Sequence, residues 1–124
     1  MLKVPDIAGT WDCKGDSLDR EGNVIYEWTA EITIVQSWDK LRVRLKTNQS
    51  GSNSIAAALT YDSVDGWVLL YQYRNDPKID QPDLRSHVGT ASATFFNDLN
   101  TATAEYFNGV GRATFGKMVW NRRQ

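Results

Sequence analysis

Histidine and cysteine are nearly missing from this chain: 124 residues include one of each, His87 and Cys13. A lone cysteine cannot close an internal disulfide, which fits a reducing compartment. A lone histidine excludes a histidine-rich metal site and the two-histidine helix motif of zinc hydrolases. A Gly-x-Ser-x-Gly elbow is absent, and Cys13 has no base partner that the sequence identifies. No run approaches the ~18 apolar residues of a membrane helix, and Trp67-Val68-Leu69-Leu70-Tyr71 has the length of a strand. There is no secretory leader. Basic and acidic residues nearly balance at 14 and 15. The broad basic surface that would wrap a DNA or RNA duplex is therefore lacking. A helical period is missing as well, since no window longer than a turn repeats apolar residues at 3.6 spacing.

What the chain does contain is a meander. Eight β-like runs, each broken by a turn signal, cover roughly 8–14, 25–36, 40–47, 54–62, 66–74, 87–96, 101–107 and 112–121. In the second, Tyr26, Trp28, Ala30, Ile32 and Ile34 alternate with Glu27, Thr29, Glu31 and Thr33. In the third, Leu41, Val43 and Leu45 alternate with Arg42, Arg44 and Lys46. Period two means one buried and one wet face. Regular strands at near-hairpin spacing indicate a sheet closed on itself. The expected fold is all-β: an eight-stranded antiparallel up-and-down β-barrel, one domain over 1–124, of the size that holds one small ligand. The first run starts just after Pro5. Such an abrupt start fits an excised domain whose upstream part is missing, and a short native chain would look the same.

Connections in such a barrel alternate between its ends. The first, third and fifth, at 15–24, 48–53 and 75–86, read as long, with Pro77 and Pro82 in the last. The second, fourth and sixth read as tight turns: Ser37-Trp38-Asp39-Lys40, Ser63-Val64-Asp65-Gly66 and Asn97-Asp98-Leu99-Asn100. One end is trimmed and the other carries a mouth. The last run offers two inward faces: Arg112, Thr114, Gly116, Met118 and Trp120, or Ala113, Phe115, Lys117 and Val119. The first is favoured because it grades from polar at the mouth to apolar at the trimmed end.

Catalytic groupings are thin. Carboxylates fall mainly in turns or on wet faces, and Gly109/Gly111 lacks the lysine and helix of a phosphate loop. Binding residues instead crowd the expected mouth: Tyr26, Arg44, Lys46, Tyr73, Arg74, Thr90, Tyr106 and Arg112. Rings with guanidinium groups suit flat bases and phosphates, through stacking and bidentate bonds. Each has a plainer reading. Arg44 belongs to an alternating, solvated stripe, Tyr26 to the core, Arg74 to an exposed loop, and His87 to a polar strand start. Trp11 reads as a floor residue, with Arg122 of the last run stacked on its ring as a cation–π closure.

The Gly-x-Trp start with an arginine in the terminal strand resembles lipocalin-like barrels. More specifically, Ile7-Ala8-Gly9-Thr10-Trp11 and Tyr106-Phe107-Asn108-Gly109-Val110-Gly111-Arg112, followed by Thr114, Gly116, Met118 and Arg122, resemble a family of bacterial defence effectors. These are the CD-NTase-associated, two-transmembrane β-strand-rich effectors of CBASS anti-phage defence. The resemblance implies a receptor for a cyclic dinucleotide second messenger, without catalysis, cofactor or metal. It also implies self-association on ligand binding and disruption of the inner membrane, with the barrel in the cytoplasm. The membrane would be met only through two helices that this chain lacks, so the chain alone is expected to be soluble. From the closing stretch the resemblance carries over Tyr106, Asn108 and Arg112 as ligand contacts. A lipocalin-like carrier of a small apolar ligand and a barrel enzyme acting on a hydrophobic substrate are the rival readings.

Overall fold

The computed structural model describes residues 4–48, 50–77, 87–109 and 114–124, with the side chains of 75–77 and 87 excepted. Its eight strands are β1 (Gly9–Leu18), β2 (Val24–Gln36), β3 (Leu41–Lys46), β4 (Ser50–Asp62), β5 (Gly66–Pro77), β6 (His87–Phe95), β7 (Thr101–Asn108) and β8 (Phe115–Arg122). Each pairs antiparallel with its neighbour in sequence, and β8 returns to β1, closing the barrel. The expected fold class is the observed one.

Alternation decides which side chains turn inward. Ile32 and Ile34 of β2, Val43 of β3, and Met118 and Trp120 of β8 are buried, while Glu31, Arg42, Arg44, Lys117 and Val119 face out. The even face of β8 is thus the inner one. Trp11, Phe95 and Trp120 meet edge-to-face at the trimmed end, with ring centroids 5.5–6.4 Å apart. The Arg122 guanidinium lies 5.3 Å from the Trp11 ring centroid and donates to the Ala8 carbonyl at 2.6 Å and the Leu99 carbonyl at 3.3 Å. Ile7, fully buried, plugs the same end, and Trp11 Nε1 donates to its carbonyl at 3.1 Å. This floor is the expected one.

Two strands run longer than the sequence pattern suggests. β1 continues through Leu18, with Asp16 opposite Glu27 and Ser17 opposite Tyr26, and β4 begins at Ser50. The first connection shrinks to 19–23 and the third to 47–49. The added segments line a cavity rather than a core, so their inward residues are small or polar and the apolar alternation vanishes. Asp19 closes the first turn by accepting from the Glu21 and Asn23 backbone N–H groups at 2.9 Å, which holds its carboxyl below the usual range. Loop length at the mouth therefore rests mainly on the connection after β5.

The barrel has one thin seam. Only Arg44, Leu45 and Lys46 of β3 register against β4, opposite Asn53, Ser52 and Gly51. Beyond them the Ser54 hydroxyl accepts from the Val43 N–H at 2.9 Å, and a bulge between Ser54 and Ala56 turns β4 away.

Candidate functional site

The looped end of the barrel opens into a cavity of ≈780 Å³, within the range of small-molecule sites. Trp28, Tyr73 and Tyr106 form its upper wall, Tyr71 and Met118 lie deeper, and Ser17, Thr47, Asn48, Ser50, Ser52, Asn108 and Thr114 add polar groups.

A shared device positions the three upper rings. Trp28 stands directly opposite Gly15, Tyr73 opposite Gly89, and Tyr106 opposite Gly116 on the neighbouring strand. A Cβ at any of these glycines would collide with the opposing ring. Each ring therefore lies against bare backbone, as rings do over strand glycines elsewhere. The wall thins where a side chain is missing, and the ring fills that place instead of blocking the cup.

Hydrogen bonds fix the rings in two groups. Tyr106 Oη shares a hydrogen bond of 2.8 Å with Ser17 Oγ and accepts from Trp28 Nε1 at 3.3 Å, while the Trp28 and Tyr106 rings meet edge-to-face at 5.8 Å. Tyr73 Oη donates to Asn108 Oδ1 at 2.6 Å, and Asn108 Nδ2 donates to Thr114 Oγ1 at 2.8 Å. Burial, with Tyr106 nearby, pushes the Tyr73 phenol upward, and burial does the same for Tyr71. Both stay neutral hydrogen-bond donors across the physiological range. Lower in the barrel, burial pushes the Cys13 thiol up to about 12, against a weak opposing pull from Trp120. Cys13 is therefore a protonated core residue and not a nucleophile.

The expected binding residues divide sharply. Tyr26, Tyr73, Tyr106 and Asn108 border the cavity, Tyr26 at its exposed rim. Arg44, Arg74 and Thr90 do not. Arg44 alternates with buried Val43 and faces solvent, and Arg74 alternates with buried Tyr73 in the same way. Thr90 is exposed beside buried Ala91, in a separate hollow of ≈820 Å³ bounded on the outer wall by Leu70, Phe107 and Phe115. Strand geometry forces the correction, because neighbouring residues on a strand cannot both point inward. Arg112 lies outside the described residues.

Sequence reasoning left Trp28 in the core and passed over Ser17, Ser50 and Ser52, which it placed in loops. An inward-phase glycine opposite an aromatic residue was the available signal, since a glycine in a buried strand face needs a partner to fill its space. Among the described residues, the only charged side chain bordering the cavity is Glu27, and no group of His, Cys, Asp and Glu is arranged to hold a metal. The cavity suits a flat guest held by ring faces, with hydroxyl and amide groups to orient it.

Comparison with known proteins agrees with that geometry. Residues 2–122 match the family model for the Cap15 cyclic dinucleotide receptor domain. The chain is 46% identical over 122 residues to the CD-NTase-associated protein 15 of Yersinia aleksiciae, covering 98% of this chain and 57% of that protein. It thus spans little more than half of that relative's length. With the match running from the buried floor to the closing strand, this chain belongs to the Cap15 cyclic dinucleotide receptor domain family.

Proposed function

We propose that the cup itself is the receptor site, taking a cyclic dinucleotide through the looped end. The carrying observation is that Trp28, Tyr73 and Tyr106 wall a ≈780 Å³ cavity while their ring edges are held by Ser17, Asn108 and each other. Tyr106 and Trp28 supply a face for one base and Tyr73 for the other, each stack contributing ~1–3 kcal/mol. Asn108 and Thr114 orient the guest through hydrogen bonds, Tyr26 closes the rim, and Arg112 serves as a phosphate partner. Two stacks and a few directed bonds reach the ~8 kcal/mol of micromolar binding. The role is sensing and not catalysis: the thiol and phenols of the interior are held protonated, and no base stands beside them.

In the full-length protein this domain is the sensor of a membrane-disrupting CBASS effector that self-associates on binding and sits in the bacterial inner membrane. Among the described residues no helix is long and apolar enough to cross a membrane. Residues 5–8 dock at the trimmed end, where Gln36 receives the Ile7 N–H at 2.9 Å and donates to the Pro5 carbonyl at 3.0 Å. Any preceding anchor would join opposite the mouth, leaving the mouth open to a cytosolic messenger.

Calorimetric titration of this chain with a panel of cyclic di- and trinucleotides tests the reading. A cyclic dinucleotide should bind at micromolar Kd or tighter, and Trp28→Ala or Tyr106→Ala should weaken it by roughly 5- to 150-fold, the equivalent of one lost stack. Binding of a fluorescent fatty acid with no response to any cyclic nucleotide would select the lipocalin-like carrier instead.

A further inference from the structure

The thin seam leaves part of one strand without a partner. Residues 55–62 of β4 register only against β5, and no strand pairs with their other side among the described residues. Every second N–H and C=O along that stretch points into open space beside the β3 start. Sheet edges of this kind are templates for another strand, and proteins usually blunt them with charge, proline or cover. This edge carries none of those devices from 55 to 61: it reads Ile55-Ala56-Ala57-Ala58-Leu59-Thr60-Tyr61. Ile55 is 56% exposed and Tyr61 48%. The bulge after Ser54 bends the edge clear of β3 but does not cover it.

We infer that the free edge of β4 is the surface on which a second copy of this chain docks, by antiparallel strand pairing across a two-fold axis. The inference rests on the self-association proposed above and gives it a location. Three features choose a second copy as occupant. The segment is uncharged, so two copies meet without like-charge repulsion. Its centre is three alanines, whose small side chains let two backbones approach to ladder distance. The pairing is also self-complementary, as a two-fold interface requires: each edge offers the other the same alternating donors and acceptors. Next to the edge, Ala58 and exposed Leu70 begin the apolar outer wall that runs on to Phe107, so association would cover side chains as well as backbone.

Sedimentation of this chain over a concentration series, alone and with cyclic di-AMP or cyclic di-GMP, tests it. Ala58→Lys and Ala58→Glu place a charge on the outer side of the edge, near its own image across the axis. Each variant alone should associate at least tenfold more weakly than the parent, and an equimolar mixture of the two should regain association. Thr60→Lys and Thr60→Glu, at another exposed outward position, repeat the test should either Ala58 variant fail to fold. Undiminished association in the single variants would overturn this surface while leaving self-association standing. So would variants whose mixture does not recover. A chain that stays monomeric in every condition would remove the surface and the self-association together.

Discussion

The floor and the mouth of this barrel are built from the same kind of residue and behave oppositely. At the floor, Trp11, Phe95 and Trp120 pack ring against ring, with the Arg122 guanidinium across Trp11 and backbone acceptors on both polar edges. Nothing is left over for a guest. At the mouth, Trp28, Tyr73 and Tyr106 each stand opposite a glycine, so one face meets backbone and the other meets the cavity. What separates a plug from a binding wall is the residue across the ladder, and not the ring itself. The comparison also explains why the floor binds its cation internally, whereas the described mouth holds none.

Substitutions that respect this division should separate stability from binding. The largest effect belongs to the floor. Trp11→Ala removes a fully buried indole and should cost about 3–5 kcal/mol of unfolding free energy, read by urea denaturation. Cyclic dinucleotide affinity in the remaining folded protein should change little; a large loss there would mean that the two ends are coupled. Next comes a mouth glycine. Gly15→Ala drives its methyl into the Trp28 indole and should push that ring into the cup. Affinity should fall by roughly the one-stack factor, about 5- to 150-fold, with a smaller change in stability. The double variant Gly15→Ala/Trp28→Ala should bind no worse than Trp28→Ala alone, and a further additive loss would refute ring displacement. The smallest effect belongs to the outer wall. Arg44→Ala and Arg74→Ala should each leave affinity within about twofold, as surface changes away from a site do, measured by the same titration. A clear loss in either would mean that a ligand reaches outside the cup.

Legibility followed the physics of each region. The alternation from Tyr26 to Ile34 and from Leu41 to Lys46 was plain, because those strands separate a dry core from water. Trp11 over Arg122 was legible because both lie on short, well-signalled ends. The stretches Gly15-Asp16-Ser17-Leu18 and Ser50-Gly51-Ser52-Asn53 read as loop because one of their faces meets a cavity instead of a core. Tyr73 and Arg74 are adjacent in sequence and were read as a pair, yet the pleat sends them to opposite sides of the wall. The β4 edge was invisible, since nothing in Ile55-Ala56-Ala57-Ala58 announces that β3 will end before reaching it.

The order of residues alone determined that this chain forms a closed meander of eight strands and that its start and finish meet at an apolar floor. Period-two patterning and turn residues are local properties, and burial of one face leaves few other ways to satisfy them. Tertiary structure alone decided which rings face a guest, which arginines stay outside and which strand edge is left open. Those outcomes depend on register between strands, and register is a relation between distant residues that no single segment contains.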